Sequence, residues 1–308
     1  MSNTNITLFE NPDLCTLSTC PLSLANVDYD PSLWGNLLLL ALFGAVMICQ
    51  IGMGIRYRTW SYLIAMTGGL ILEVIGYVAR VQMHYNPFTQ NPFLMYLVCL
   101  TIAPAFLSAA IYLCLSRIII AYGESISYFR PRTYTVLFIT CDIIALLLQA
   151  AGGGIASSAN TKSLTDIGIN IMVAGVSWQV FSLALFGALC CDFVIRVRGA
   201  PPSSLNVQFE DLRRRKSFYY FIFALVVATV TIFVRSVFRC AELSGGFHGP
   251  LANDEVTFMV LEGAMISIAV IALTVFHPGW VWKELWSQAV WHLRSSNDGD
   301  MEEKGPST

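Results

Sequence analysis

Residues 33–58 read LWGNLLLLALFGAVMICQIGMGIRYR. The stretch 33–55 contains no charged side chain, and Arg56 and Arg58 follow it directly. A helix needs about 20 predominantly apolar residues to cross the hydrocarbon core of a bilayer. Residues 33–55 therefore predict a transmembrane helix, and the basic pair predicts that its carboxyl end faces the cytosol.

The rest of the chain repeats this pattern. Of the 308 residues, 56% are hydrophobic and only 12% are charged, whereas a soluble domain is about 25% charged. Six further apolar stretches cover residues 60–83, 93–121, 133–155, 168–193, 217–238 and 256–276. Because a lipid-exposed backbone must satisfy its own hydrogen bonds, these stretches predict an all-α fold, a seven-transmembrane helix bundle.

The connections between the spans alternate in charge. One set carries Arg56, Arg58, Arg130, Arg132, Arg196, Arg198, Arg213, Arg214, Arg215, Lys216, Lys283, Arg294 and Lys304. The other set carries only Lys162, apart from Arg80 and Arg239 at helix ends. The positive-inside rule then predicts an extracellular N-terminal segment (1–32), a transmembrane domain (33–277) and a cytosolic C-terminus.

The two termini carry further signals. Residues 5–7 match the N-glycosylation pattern at Asn5, and Cys15 and Cys20 lie where a disulfide is permitted, although their pairing stays open. Residues 278–294 place apolar side chains at helical spacing opposite charged ones, which predicts a short amphipathic helix in the cytosolic interface. The polar tail 295–308 is expected to be disordered.

Polar and ionisable side chains recur inside the spans, where each charge costs about 2.5–3.5 kcal/mol on insertion scales. Several share a helix face, because they stand four or seven residues apart. Two interpretations are open: these groups pair to lock the bundle, or they line a polar path that opens outward. The candidate substrate-binding or translocation residues are Glu73, Tyr77, Arg80, Asp142, Gln149, Gln179, Arg235, Arg239, Glu242, Glu255 and Glu262.

Several function classes are disfavoured. No lysine lies well inside a span, which excludes a retinal Schiff base, and the four histidines fall at span ends or in loops, which disfavours a buried zinc site. No Walker-type phosphate loop and no span-embedded serine or cysteine with a histidine partner is evident. The net charge of −2 gives no sign of nucleic-acid binding. We expect no enzyme activity, cofactor or metal.

The motifs in and between the spans resemble, taken together, the fungal lipid-translocating exporter family, an RTA-like group linked to aminocholesterol resistance and sphingoid-base release. The matching segments run from the second span to the end of the seventh. They are Glu73-x-x-Gly76-Tyr77-x-x-Arg80, Ala103-Pro104-x-x-x-x-Ala109-x-x-Tyr112 with Arg117, Phe138-x-x-x-Asp142 with Gln149 and Gly152, Gly168 and Gly175 with Gln179, Arg235-x-x-x-Arg239-x-x-Glu242, Glu255, and His277-Pro278-Gly279.

The resemblance implies a fungal plasma-membrane protein that exports amphipathic cargo: sphingoid long-chain bases, sterol-like drugs or porphyrins. Such export would contribute to drug resistance or lipid asymmetry, with cargo and membrane lipids as partners. The interior acids suit a cationic headgroup, whereas the arginines suit porphyrin carboxylates, so the sequence does not choose. Two alternatives are a seven-span receptor or sensor and a regulator of lipid flippases.

Overall fold

The computed structural model of the chain describes residues 15, 20, 29–159, 161–245, 251 and 254–289. All regular structure in this part of the chain is helical, and seven segments are long and apolar enough to cross a membrane, which confirms the predicted fold class. Six are continuous helices: α1 (Leu33–Tyr57), α2 (Trp60–Tyr85), α3 (Gln90–Tyr122), α4 (Pro131–Ser158), α5 (Lys162–Gly199) and α6 (Lys216–Ser244).

The seventh span, α7 (residues 255–275), is not a regular α-helix throughout. It consists of the α-helix Glu255–Phe258, the π-helical turn Met259–Ala264 and the α-helix Met265–Val275. Single π turns inside α-helices occur frequently at functional sites, because they change the direction of the side chains that follow. Hydropathy carries no signal for this turn, because the apolar average of a span does not depend on its local backbone geometry.

The seven helices form a ring in which each packs on its sequence neighbours and α7 returns to α1. Helix α3 is the innermost, because 67% of its apolar window is buried against 17% for α1. It also contacts α6 across the ring. Helix α3 therefore lies between α2, α4 and α6 and organises the interior.

Glycines allow α4 and α5 to approach at backbone distance. A Cβ atom on Gly152 would lie 2.6 Å from the carbonyl oxygen of Gly168, and one on Gly168 would lie 2.6 Å from the amide nitrogen of Ala156. Small residues promote such contacts between transmembrane helices, where lipid supplies no hydrophobic driving force. Helix α4 continues through its glycine-rich end to Ser158 without unwinding.

The segment after α7 differs from the single helix predicted for residues 278–294. Over its described part it forms two short helices, α8 (Pro278–Trp282) and α9 (Leu285–Gln288), separated at Lys283, whose φ is 51°. The predicted amphipathic character is present, since Trp282 and Trp286 are buried while Lys283 is exposed. Trp282 and Trp286 stand four residues apart and would share a face of one regular helix, so their burial does not by itself explain the break at Lys283.

Helix α3 holds this segment through Arg117. Its guanidinium carbon lies 3.6 Å from the centre of the Trp286 ring, and Nη1 donates to the carbonyl oxygens of Trp286 and Ala289. The α5–α6 connection is fixed at the same end, because Arg213 donates to the carbonyl oxygen of Ala121 at the end of α3. We call this end, which carries Arg56, Arg58, Arg130, Arg198 and residues 213–216, the basic face.

The terminal predictions lie mostly outside the described residues. Cys15 and Cys20 form a disulfide, with a Cα–Cα distance of 5.7 Å, which answers the question that the sequence left open. Asn5 and the segment 290–308 are outside the described part of the chain. The extracellular placement of the N-terminus remains a prediction from the charge pattern.

Candidate functional site

Arg235 and Glu262 form a buried ion pair between α6 and the π turn of α7. Their exposed fractions are 1% and 2%. Arg235 Nε donates to Glu262 Oε1 over 3.1 Å, and Nη2 donates to the same oxygen and to the carbonyl oxygen of Leu100 on α3. One guanidinium therefore joins three helices. Glu262 Oε2 has no hydrogen-bond partner among the described residues.

Glu73 and Tyr77 of α2 face this pair from the other side. Both are buried, with exposed fractions of 2% and 0%, as expected for residues four apart on one helix face. Glu73 interacts electrostatically with Arg235 and Glu262. Within the described part of the chain it makes no hydrogen bond or ion pair, and the Tyr77 hydroxyl has no partner. Arg235 therefore contacts Glu262 and lies within electrostatic range of Glu73 without contacting it.

A second ion pair lies one turn further along α6. Arg239 Nη1 contacts Glu242 Oε2 at 2.7 Å, and Nη2 donates over 3.4 Å to Thr101 Oγ1 on α3. Both charged side chains are buried. Arg239 also interacts electrostatically with Glu262, so the two pairs lie close to each other in the bundle interior, and we call them together with Glu73 the interior network.

Arg80 belongs to a separate group near the carboxyl end of α2, away from the basic face. It is completely buried, donates to Asn36 Oδ1 and to the Tyr29 hydroxyl over 3.0 Å each, and has no carboxylate within ion-pair distance among the described residues. Its guanidinium carbon lies 3.9 Å from the centre of the Phe258 ring and 5.3 Å from that of Tyr96. Aromatic faces attract cations in this geometry, so the rings replace a counter-ion.

The polar residues of α4 and α5 lie on the other side of α3. Gln149 Nε2 donates to Gln179 Oε1 over 3.2 Å, and both side chains are buried. Two turns earlier on α4, Asp142 faces the Tyr112 hydroxyl of α3 and interacts electrostatically with it. Two oxygen atoms, Gln149 Oε1 and Asp142 Oδ2, have no hydrogen-bond partner in the described structure.

Glu255 does not join these groups. It is half-buried, and its Oε1 accepts from the backbone N–H of Ser32 over 2.5 Å. This contact ties the start of α7 to the start of α1. Although Glu255 and Glu262 stand seven residues apart, the π turn lies between Glu255 and the rest of α7, so that only Glu262 reaches the interior. The predicted site residue Glu255 is thus an inter-helix contact at the end of the bundle.

A cavity of about 220 Å³ lies between α3, α4 and α5. Its walls are mainly apolar side chains such as Leu97 and Met172, and its polar edges are Gln149, Thr101 and Ser157. Thr101 also accepts from Arg239, so the cavity touches both the glutamine pair and the ion-pair network. Apolar walls with a few convergent polar groups are typical of ligand sites, which usually measure about 300–1,000 Å³. This cavity would accommodate part of an amphipathic molecule.

Sequence reasoning missed three contributors to the site. Asn36 is one of two amide side chains in the first span, together with Gln50, and this is a signal that could have identified it. Thr101 gives no such signal, because threonine is common in membrane helices. The carbonyl oxygen of Leu100 is backbone, so no side-chain pattern indicates it. Within the described residues, no group of three His, Cys, Asp or Glu side chains could hold a metal ion.

Comparison with known proteins gives a consistent result. Residues 66–285 match the family model described as RTA1 like protein. The chain is 34% identical to the sphingoid long-chain base transporter RSB1 of Saccharomyces cerevisiae (strain Lalvin EC1118 / Prise de mousse), over 82% of this chain and 73% of that protein. It is 29% identical to Protoporphyrin uptake protein 1 of S. cerevisiae over 67% and 65% of the two chains, and 27% identical to Protein RTM1 of S. cerevisiae over 74% and 73%. No solved structure matches.

Proposed function

Because the chain belongs to the RTA1-like family, we propose that it transports amphipathic molecules with a cationic headgroup, sphingoid long-chain bases above all. The similarity already supports a transporter-like multi-pass membrane protein. Export out of the cell, residence in the plasma membrane, glycosylation at Asn5 and a contribution to drug resistance or lipid asymmetry are further parts of the proposal. The basic face would then be cytosolic.

The observation that carries the proposal is the excess of acid in the interior network. Glu73 lies within electrostatic range of Arg235 but has no ion pair with it, because Arg235 contacts Glu262. Among the described residues, Glu262 Oε2 and the Tyr77 hydroxyl lack a hydrogen-bond partner. An unpaired carboxylate in apolar surroundings is costly, so Glu73 would carry a proton or have a cation bound beside it. An ammonium with neighbouring hydroxyls supplies the missing charge and hydrogen bonds. In the proposed mechanism, the headgroup crosses through this polar interior while its tail stays in lipid, with protonation of a buried acid coupled to its release.

Porphyrin carboxylates fit this interior less well. Arg235 and Arg239 are already paired with acids, and Arg80 donates to Asn36 and Tyr29 among aromatic rings. A dianionic ligand would have to displace these partners and would meet Glu73 and Glu262. The similarity to a porphyrin uptake protein nevertheless makes porphyrin the cargo to compare.

The test is a release assay in cells with and without the protein, using labelled sphingoid base, sterol amine and porphyrin in parallel. We expect the protein to increase release of the sphingoid base, and Glu73→Gln to abolish the increase at unchanged expression. Glu124→Gln, the same chemical change at an exposed loop residue, is the matched control and should release normally. If the Glu73→Gln variant released every cargo as well as the unmodified protein does, the proposal would be refuted.

A further inference from the structure

A second concavity lies on the lipid-facing side of the bundle, between α3, α5 and α6. It has a volume of about 430 Å³ and runs towards the basic face. Its walls are apolar side chains, among them Leu115, Phe186 and Leu225. At its floor, Gly187 has no neighbouring heavy atom within 4 Å of where a Cβ atom would stand. The glycine therefore leaves an elongated apolar space that the protein itself does not fill.

Two basic side chains lie at one end of this groove. Arg198 lines it at the end of α5, and Tyr219 lines it near the start of α6. Lys216 stands three residues before Tyr219 and so lies on the same helix face. Arg198 and Lys216 are exposed and, within the described part of the chain, take part in no ion pair.

The neighbouring acids do not compensate this charge. Asp192 contacts Arg196 at 2.7 Å, and Glu210 contacts Arg214 at 2.6 Å. Between residues 192 and 216 the sequence has six basic and three acidic residues. The rim therefore presents uncompensated positive charge directly beside an unfilled apolar groove.

We propose that this groove binds a glycerophospholipid with an anionic headgroup. One acyl chain lies along α3, α5 and α6, and the headgroup contacts Arg198 and Lys216. The charge complementarity decides between lipids: the rim attracts a net negative headgroup, while a cationic long-chain base would be repelled. The site is thus distinct from the interior network. If the lipid-binding proposal were refuted, the proposed transport function would not be affected.

The first test measures lipid retention by the purified protein. Native mass spectrometry in detergent, with equal amounts of palmitoyl-oleoyl phosphatidylserine and phosphatidylcholine, should show preferential retention of phosphatidylserine. Each basic side chain near an anionic lipid contributes about five-fold in binding. The variant Arg198→Gln/Lys216→Gln should therefore lose about 25-fold in phosphatidylserine binding, while Arg56→Gln/Arg58→Gln, which removes two exposed charges elsewhere on the basic face, should retain it.

The second test fills the groove. Gly187→Leu should abolish retention of phosphatidylserine, because the new side chain occupies the space of the acyl chain. Gly44→Leu on α1 is the matched control, since Gly44 is equally open and half-exposed but lies away from the groove. Equal retention of the two lipids by the unmodified protein would overturn the proposal. An equal loss of phosphatidylserine binding in Arg198→Gln/Lys216→Gln and in Arg56→Gln/Arg58→Gln would overturn it too. Normal retention by Gly187→Leu would overturn it as well.

Discussion

Replacing Arg235 with leucine leaves the Glu262 carboxylate buried without its partner. Because the two side chains are only 1% and 2% exposed, water cannot take over the lost interaction. Removing one partner of a buried pair costs about 3–5 kcal/mol. At roughly 2 °C per kcal/mol for a chain of this size, the midpoint of thermal unfolding should fall by about 6–10 °C. Replacing both residues with leucine removes the unpaired charge too, so the double variant should be more stable than Arg235→Leu alone.

Thermal unfolding of the purified protein in detergent, followed by tryptophan fluorescence, measures this cycle of four proteins. Arg56→Leu, at an exposed site, is the control and should stay within about 0.5 kcal/mol of the unmodified protein. If the two single losses simply add in the double variant, the pair is not coupled and the reasoning is wrong.

Three further predictions concern packing and chemistry elsewhere. Gly152→Leu should lower the yield of folded protein, because the side chain would collide with the backbone of α5, whereas Gly154→Leu, with nothing within 4 Å, should not; size-exclusion profiles of both variants decide this. Arg117→Met should free the α8–α9 segment and speed limited proteolysis at Lys283, and an unchanged cleavage rate would contradict the contact. Alkylation under denaturing conditions should label seven of the nine cysteines before reduction and all nine after it; nine labels before reduction would exclude the disulfide.

The membrane spans were predictable because apolar length directly reflects the thickness of the bilayer. The largest difference is at α5, which was predicted for 168–193 and extends over Lys162–Gly199. Hydropathy detects only the part of a helix that lies in lipid, so it misses the turns that continue into water. The burial of Glu73, Tyr77 and Arg80 on one face was predictable too, since helical spacing fixes their direction.

The partners of these residues were not predictable. Spacing along one helix does not say which helix lies opposite, so the pairing of Arg235 with Glu262 had to come from the structure. The pair of Arg239 with Glu242 differs, because both stand on α6 three residues apart, where helical spacing already brings them together. The π turn of α7 has no hydropathy signal. Because the sequence does not reveal this turn, Glu255 was included with the candidate pathway residues. The break at Lys283 was not predictable either, because the amphipathic pattern continues across it without a helix-breaking residue.

The central claim is that buried carboxyl groups bind the cationic headgroup of the cargo. Purified protein in liposomes, with no other protein present, should accelerate the movement across the bilayer of a fluorescent sphingoid base but not of its N-acetylated form, which has no positive charge. Glu73→Gln should remove the acceleration. Equal movement of the charged and N-acetylated forms, or full activity of Glu73→Gln, would contradict the claim.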